Sequence, residues 1–472
     1  MAVDVNVRDF GAVGDGVNDD TPAINAAIIS VASRGGGRVT VPSGIYRVYS
    51  IHLASHLDLY LEAGAVLKAG EVASDARYDL PEQGPEPQYQ DFGHSHWQNS
   101  LIWGIGLEDV SISGRGMIDG TALANGYRTE DLQDGWANKS ISLKECRNVS
   151  ITGITLYHGG HFAILATGID NLLCSDLTID TNRDGIDIDC CRNVRVNGCL
   201  VNSPYDDGIV LKASYALGRF QDTRDVVITN CNISGYEVGS VLDGTYRHTS
   251  NPFGRIFRAP DRIFSAGRIK MGTETSGGFK NISITNCTFD YSGGIFVQSM
   301  DGGEVEDIVI SGITMTNCTD SPIFIRIGSR MRSPQGTPVG SIKRVSISDF
   351  NAYSSNPAYN VIIAGIPGHP IEDLYLHNVN LHSKGGISLE RAIENVPEAE
   401  DKYPDPWLFS KDRNHCLPFC GMMLRHVNRV EMDCLRFDFA QEDTRPLFWT
   451  DDVSNLSASG IKCRGKEVNI SL

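Results

Sequence analysis

Positive charge is scarce in this chain: 41 Lys and Arg stand against 58 Asp and Glu, a formal net charge of −17. Binding to nucleic acid or to an anionic membrane draws on a basic face and the counterions it releases, so neither is expected as a partner. Long hydrophobic runs are also missing. No window reaches the roughly 18 unbroken apolar residues of a membrane helix. The opening MAVDVNVRDFGAVGDG has no basic segment followed by an apolar one, so no export signal is read. The expectation is a secreted or periplasmic protein in trimmed form, with the cytoplasm as the alternative. Cysteine is dilute: twelve in 472 residues cannot staple a disulfide scaffold, and no paired CxxC spacing suggests zinc. The stretch HCLPFC (His415, Cys416, Cys420) reads as a plain loop. No metal and no cofactor are expected, and nothing in the sequence fixes an oligomeric state.

What the chain does have is a repeat. EDVSISG begins at Glu108, RNVSITG at Arg147, RNVRVNG at Arg192 and RDVVITN at Arg224. KNISITN follows at Lys280, EDIVISG at Glu306, KRVSISD at Lys343 and EDLYLHN at Glu372. Each phrase alternates apolar and polar residues and then meets a Gly, Asn or Asp, the pattern of a short strand closed by a tight turn. Val149, Leu172 and Val194 are spaced by 23 and 22 residues. Helical repeats run to about 33 residues or more with a 3.6 period. A period in the low twenties with strand alternation instead predicts a single-stranded right-handed parallel β-helix. The 56 residues from Val226 to Ile282 are one coil with an insertion, or two coils with one degenerate.

The chain is therefore expected to be a single domain, residues 1–472, with an N-terminal cap over about 1–40. A loop insertion spans about 236–266, and an irregular excursion about 397–420. The cap contains DDTPAINAAIISVASRGGG, whose Asp/Thr start, early Pro and Gly stop predict a helix over the open end of the solenoid. Cys199, Cys231, Cys287 and Cys318 fall at similar offsets after their phrases and are expected to stack as one buried column.

The stretch DTNRDGIDIDCCRNV carries Asp180, Asp184, Asp187 and Asp189. Laying NRDGIDID over YDDGIVLK at an offset of 23 puts Asp184 on Asp207 and Arg183 on Asp206. Coils stack about 4.8 Å apart, so Asp184, Asp206 and Asp207 are brought to one spot. Crowded carboxylates raise at least one proton affinity, as acid/base hydrolysis of a glycosidic bond requires. An acidic surface ladder or a calcium site fits the same spacing. Asp187 and Asp189 are read as a solvated face, with Lys212 opposite Asp189.

LEDVSISGRGMIDG, NRDGIDIDCCRNV and SPYDDGIVLK resemble the polygalacturonase family of glycoside hydrolases (family 28), which are right-handed parallel β-helices. VRDFGAVGDGVNDDTPAI is similar to the N-terminal segment of many pectin-degrading β-helix proteins. The family's N-T-D motif falls on Asn182, Arg183 and Asp184, and its D-D motif on Asp206 and Asp207. The resemblance implies an inverting hydrolase with Asp206 as general acid and Asp184 and Asp207 activating water.

The chain departs from that pattern in three places. Arg183 replaces the motif's Thr, Ala266 stands where a His is expected, and Phe296 and Gln298 take the positions of the family's uronate-binding Arg and Lys. The literal RIK, Arg268–Lys270, falls one coil early. Plain polygalacturonate is thus not the expected substrate. A rhamnose-containing pectin fragment, a modified uronide or a neutral plant oligosaccharide is. Candidate substrate contacts are His161 (level with Arg183 one coil back), Arg183, Tyr246 in the aromatic and Arg-rich insertion, Lys270, Gln298 and Arg326, with Arg330 beyond it. If the insertion walls off a groove, action on chain ends follows. A calcium-dependent lyase and a non-catalytic carbohydrate-binding fibre stay open as alternatives.

Overall fold

The computed structural model describes residues 3–74, 76–82, 88–90, 92–124, 134–248, 265–410 and 416–470. The chain forms two compact units: Met1–Val210 with Tyr236–Ile263, and Leu211–Gly235 with Phe264–Leu472. Each is built as right-handed parallel β-helix, and among the described residues the strand ladders are parallel apart from a small C-terminal antiparallel pair. No helix among the described residues is long and apolar enough to cross a membrane.

In the first unit the repeated phrase is the coil. Val149 pairs with Leu172 and Leu172 with Val194, while Ile151, Cys174 and Val196 form the next inward column. All six are buried. The second residue of each phrase explains the phrase itself. Asp109, Asn148, Asn171 and Asn193 have φ of 53°, 55°, 65° and 55°, the left-handed region. Most side chains lose roughly 1–2 kcal/mol there, whereas Asn and Asp can offset it with local hydrogen bonds. Here the amides ladder between coils: Asn148 donates to Asp109 (2.8 Å) and Asn171 to Asn148 (2.9 Å).

The cap helix spans Thr21–Ala32 and buries Ala23, Ile24, Ala27, Ile28 and Val31. Asp20, just before it, accepts from the backbone N–H groups of Val13 (2.6 Å) and Gly14 (3.1 Å), tying the incoming turn to the helix start.

In the second unit the left-handed position recurs at Asp225, Asn281, Asp307 and Asp373. Val226 pairs directly with Ile282, so the 56-residue gap is one coil carrying an insertion. All twelve cysteines are free thiols. Cys231 and Cys287 are register neighbours, since Thr229 pairs with Thr285 and Asn232 with Thr288. The expected column ends there. Thr288 pairs with Thr314, which puts Ile313 next to Cys287 and leaves Cys318 in the following turn. Similar offsets from a phrase did not mean equal offsets along the ladder.

Candidate active site

The strand Asp184–Asp189 lies against Phe162–Thr167, with Phe162 opposite Asp184. On its other side, the N–H groups of Gly185 and Ile186 donate to the carbonyls of Asp207 (3.0 Å) and Gly208 (2.9 Å). That is the 23-residue offset expected from the sequence. Gly185 permits it: a Cβ there would lie 2.4 Å from the Gly208 carbonyl oxygen. Asp184, Asp206 and Asp207 are consequently drawn together, each offering an oxygen within 4.8 Å of the others. They are 3%, 8% and 2% exposed.

Their environments differ. Arg183 Nη2 stands 2.7 Å from Asp206 Oδ2, and the Asp207 N–H donates to Asp206 Oδ1 at 3.1 Å. Ser203 Oγ pins the two turns by donating to the carbonyl of Arg183 (2.6 Å) or of Asp206 (3.1 Å). His161, one coil back from Arg183, stacks on Phe162 with centroids 4.2 Å apart. Desolvation holds its imidazole well below the usual range, with Arg183 and His94 adding to the effect and Asp206 opposing it. The ring is neutral at ordinary pH and can both donate and accept.

A segment that sequence reasoning passed over covers this face. Phe92–His94 is a short 3-10 turn. His94 packs edge-on to Phe162 (4.8 Å), with Nε2 3.4 Å from Asp187 Oδ2. Trp97 Nε1 donates to Thr167 Oγ1 (3.1 Å), and the Lys144 ammonium lies 4.1 Å from the Trp97 ring centroid. Asp187 and Asp189 are therefore fully buried, which corrects the expectation of a solvated acidic face. The alternation of polar residues along their strand was read as exposure, but it marks a surface that another segment covers. His94, Asp184 and Asp187 form a second group whose ligand atoms lie within 4.8 Å of one another. The one sequence signal for the cover was GHSHW, two histidines and a tryptophan in five residues.

Lys139 was also missed. It pairs with Phe162 in register, two coils before Asp184 in the same column. It is fully buried, and its ammonium donates to Asn99 Oδ1 (3.1 Å) and Asn138 Oδ1 (2.5 Å). Desolvation pulls its pKa down to about 7, with Glu82 opposing.

Of the insertion, residues 236–248 and 265–266 are described. Tyr236 exchanges hydrogen bonds with the Asn202 side chain (2.7 and 3.0 Å), and the Gly239 N–H donates to Asp180 (3.0 Å). Burial raises the pKa of Asp180 against these bonds. Tyr246 is half exposed and meets Tyr236 edge-on at 5.5 Å. Phe253, Arg255, Phe257, Arg258, Arg262 and Phe264 lie outside the described residues, as does His415.

Lys270, Gln298 and Arg326 belong to the second unit and are almost fully buried. Each meets the 397–420 excursion. Lys270 Nζ is 3.5 Å from the Tyr403 hydroxyl, and Gln298 donates to the Pro404 carbonyl (2.8 Å). Arg326 donates to the carbonyls of Gly365 (2.8 Å) and Glu398 (2.5 Å), its guanidinium 4.9 Å from the Phe409 ring centroid. Arg330 pairs with Asp301, and Lys212 donates to Glu274 (2.9 Å).

A model of the family described as rhamnogalacturonase A/epimerase, pectate lyase-like, matches residues 4–241. A probable polygalacturonase from Vitis vinifera is 27% identical over 402 residues, covering 79% of this chain and 73% of the relative. An exo-poly-alpha-D-galacturonosidase from Dickeya chrysanthemi is 24% identical over 401 residues, covering 76% of this chain and 64% of the relative. Among solved structures, a Yersinia enterocolitica family 28 exopolygalacturonase superposes with a TM-score of 0.66 at 17% identity, over 97% of this chain and 78% of that one.

Proposed function

The chain belongs to the rhamnogalacturonase A/epimerase, pectate lyase-like family, and on that premise we propose that it is a glycoside hydrolase acting on a pectin-related oligosaccharide. The observation that carries the reading is the meeting of Asp184, Asp206 and Asp207, three buried carboxylates within 4.8 Å at their nearest oxygens. Hydrolysis of a glycosidic bond needs one carboxylic acid to protonate the leaving oxygen and carboxylate to activate water. Three like charges this close cannot all stay ionised, which supplies the proton. Asp206 is the acid, and Asp184 and Asp207 direct the water. In the free enzyme Arg183 Nη2 lies 2.7 Å from Asp206 Oδ2, so Arg183 has to turn to the substrate for Asp206 to serve as the acid.

The substrate is not plain polygalacturonate, because Phe296 and Gln298 replace the cationic pair expected for its carboxylate. Action is at chain ends, in keeping with the covering segment around His94 and the insertion anchored on Asp180. The likeness to the exo-poly-alpha-D-galacturonosidase of Dickeya chrysanthemi supports the same reading.

The test is product analysis on a panel of pectic oligosaccharides. Wild type releases saturated sugar, and Asp206→Asn loses at least about 100-fold, the low end of what a positioned acid contributes. Proton NMR of the first-formed product should show inversion. Retention would instead make one aspartate a nucleophile, as the short spacing permits, since retaining pairs sit about 5–5.5 Å apart. A second reading has its own observation: the same three carboxylates are a set able to hold a cation. Unsaturated products that vanish with a chelator would replace the hydrolase by a calcium-dependent lyase.

A further inference from the structure

Lys139 is a fully buried ammonium that meets no carboxylate partner among the described residues. Glu82 acts on it only at a distance, and its own carboxylate accepts the Trp97 N–H (2.9 Å). No carboxylate among the described residues pairs with Lys139. Its acceptors are the amide oxygens of Asn99 and Asn138. An ammonium has three N–H donors, of which the described residues take two. A charge enclosed with neutral acceptors is destabilising, and folded proteins seldom keep one without a use.

Its position suggests that use. The Asn138 carbonyl accepts the His161 N–H (2.8 Å), which links Lys139 to the row of His161 and Arg183. Two coils of about 4.8 Å separate its Cα from that of Asp184. Asn99 belongs to the segment that covers the face, and its side chain is the more displaceable of the two partners, since Asn138 sits beside Lys139 in the sequence.

We propose that Lys139 binds a carboxylate of the substrate, an acidic sugar residue held on the N-terminal side of the catalytic aspartates, with a carboxylate oxygen taking the place of the Asn99 amide. The inference rests on the glycosidase reading and adds a substrate class to it: the chain end must carry a uronate at a non-scissile position. The positive reader of the substrate then stands before the aspartates in the coil order, and not at Phe296 and Gln298.

The experiment uses the full-length protein, galacturonate-containing pectic oligosaccharides and the same compounds methyl-esterified. Binding is measured by calorimetry for wild type and for Lys139→Met, and kcat and KM are measured wherever turnover occurs. Wild type should prefer acid over ester by at least tenfold. Lys139→Met should bind both equally, with affinity for the ester kept and the melting temperature unchanged or raised. An unchanged acid preference in Lys139→Met overturns the proposal, as does a lowered melting temperature with the preference intact, the mark of a structural lysine. Wild type without any acid preference overturns it as well. If binding shows the preference but no saturated product forms, the glycosidase reading fails and the lysine's role stands. Because Lys139 touches no reacting group, the variant should raise KM for the acid far more than it lowers kcat.

Discussion

At the scale of single residues, the two groups that matter most differ in how they could be read. Asp184, Asp206 and Asp207 were legible because a repeat makes register a matter of counting, and an offset of 23 puts them side by side. Lys139 and His94 were not, because what covers a strand face is set by a segment with no repeat in it. Lys139 allows a stability prediction with a definite sign. Its pKa is about 7 in the folded protein against 10.5 ordinarily. Between those values the unfolded chain holds a proton the folded one has lost, so this group makes stability rise with pH. Below about 7 both forms are charged and the penalty is complete. Lys139→Met should thus stabilise the protein most at pH 6, and its advantage should shrink steadily toward pH 10. Urea unfolding of both proteins across that range checks it. An advantage that does not change with pH would mean that the lysine is not desolvated.

At the scale of the element, the coil was legible and its covering was not. The phrase with Asn or Asp in second place records a backbone bend: those residues take the left-handed conformation at the start of each strand, and their side chains stack from coil to coil. Asn171 sits in the middle of such a ladder, giving to Asn148 (2.9 Å) and accepting from Arg195 (3.1 Å), at φ 65°. Asn171→Val puts a branched side chain where only strain admits it and breaks the ladder, with a cost of about 1–3 kcal/mol. Asn171→Gly keeps the bend and loses only the bonds, so it should be the milder change. Equal midpoints in denaturant for the two variants would deny the left-handed bend its role. Asp187 and Asp189 show the limit of such reading. Period-two alternation separates the two faces of a strand, but it does not say whether the outer face meets water or another part of the chain. Gln298 and Arg326, expected as substrate contacts, donate to carbonyls of the excursion in the same way.

At the scale of the whole molecule, charge raises a problem for the proposed substrate. A chain of net −17 repels a uronate polymer at long range, yet Arg183, His161 and Lys139 are enclosed cationic or neutral groups at short range. The two effects respond differently to salt. The Debye length shrinks from about 30 Å at 0.01 M to about 8 Å at 0.15 M, while buried contacts are screened far less. Added salt should therefore remove the repulsion and spare the anchoring. On an acidic pectic chain kcat/KM should rise over that range, and on its methyl-esterified counterpart it should stay level. An enzyme that read its polyanion through an exposed basic groove would do the opposite and slow as salt increases. Initial rates at a few ionic strengths with the two substrates decide between the designs. A fall with the acidic chain would place recognition on the surface and leave Lys139 without the role given to it here.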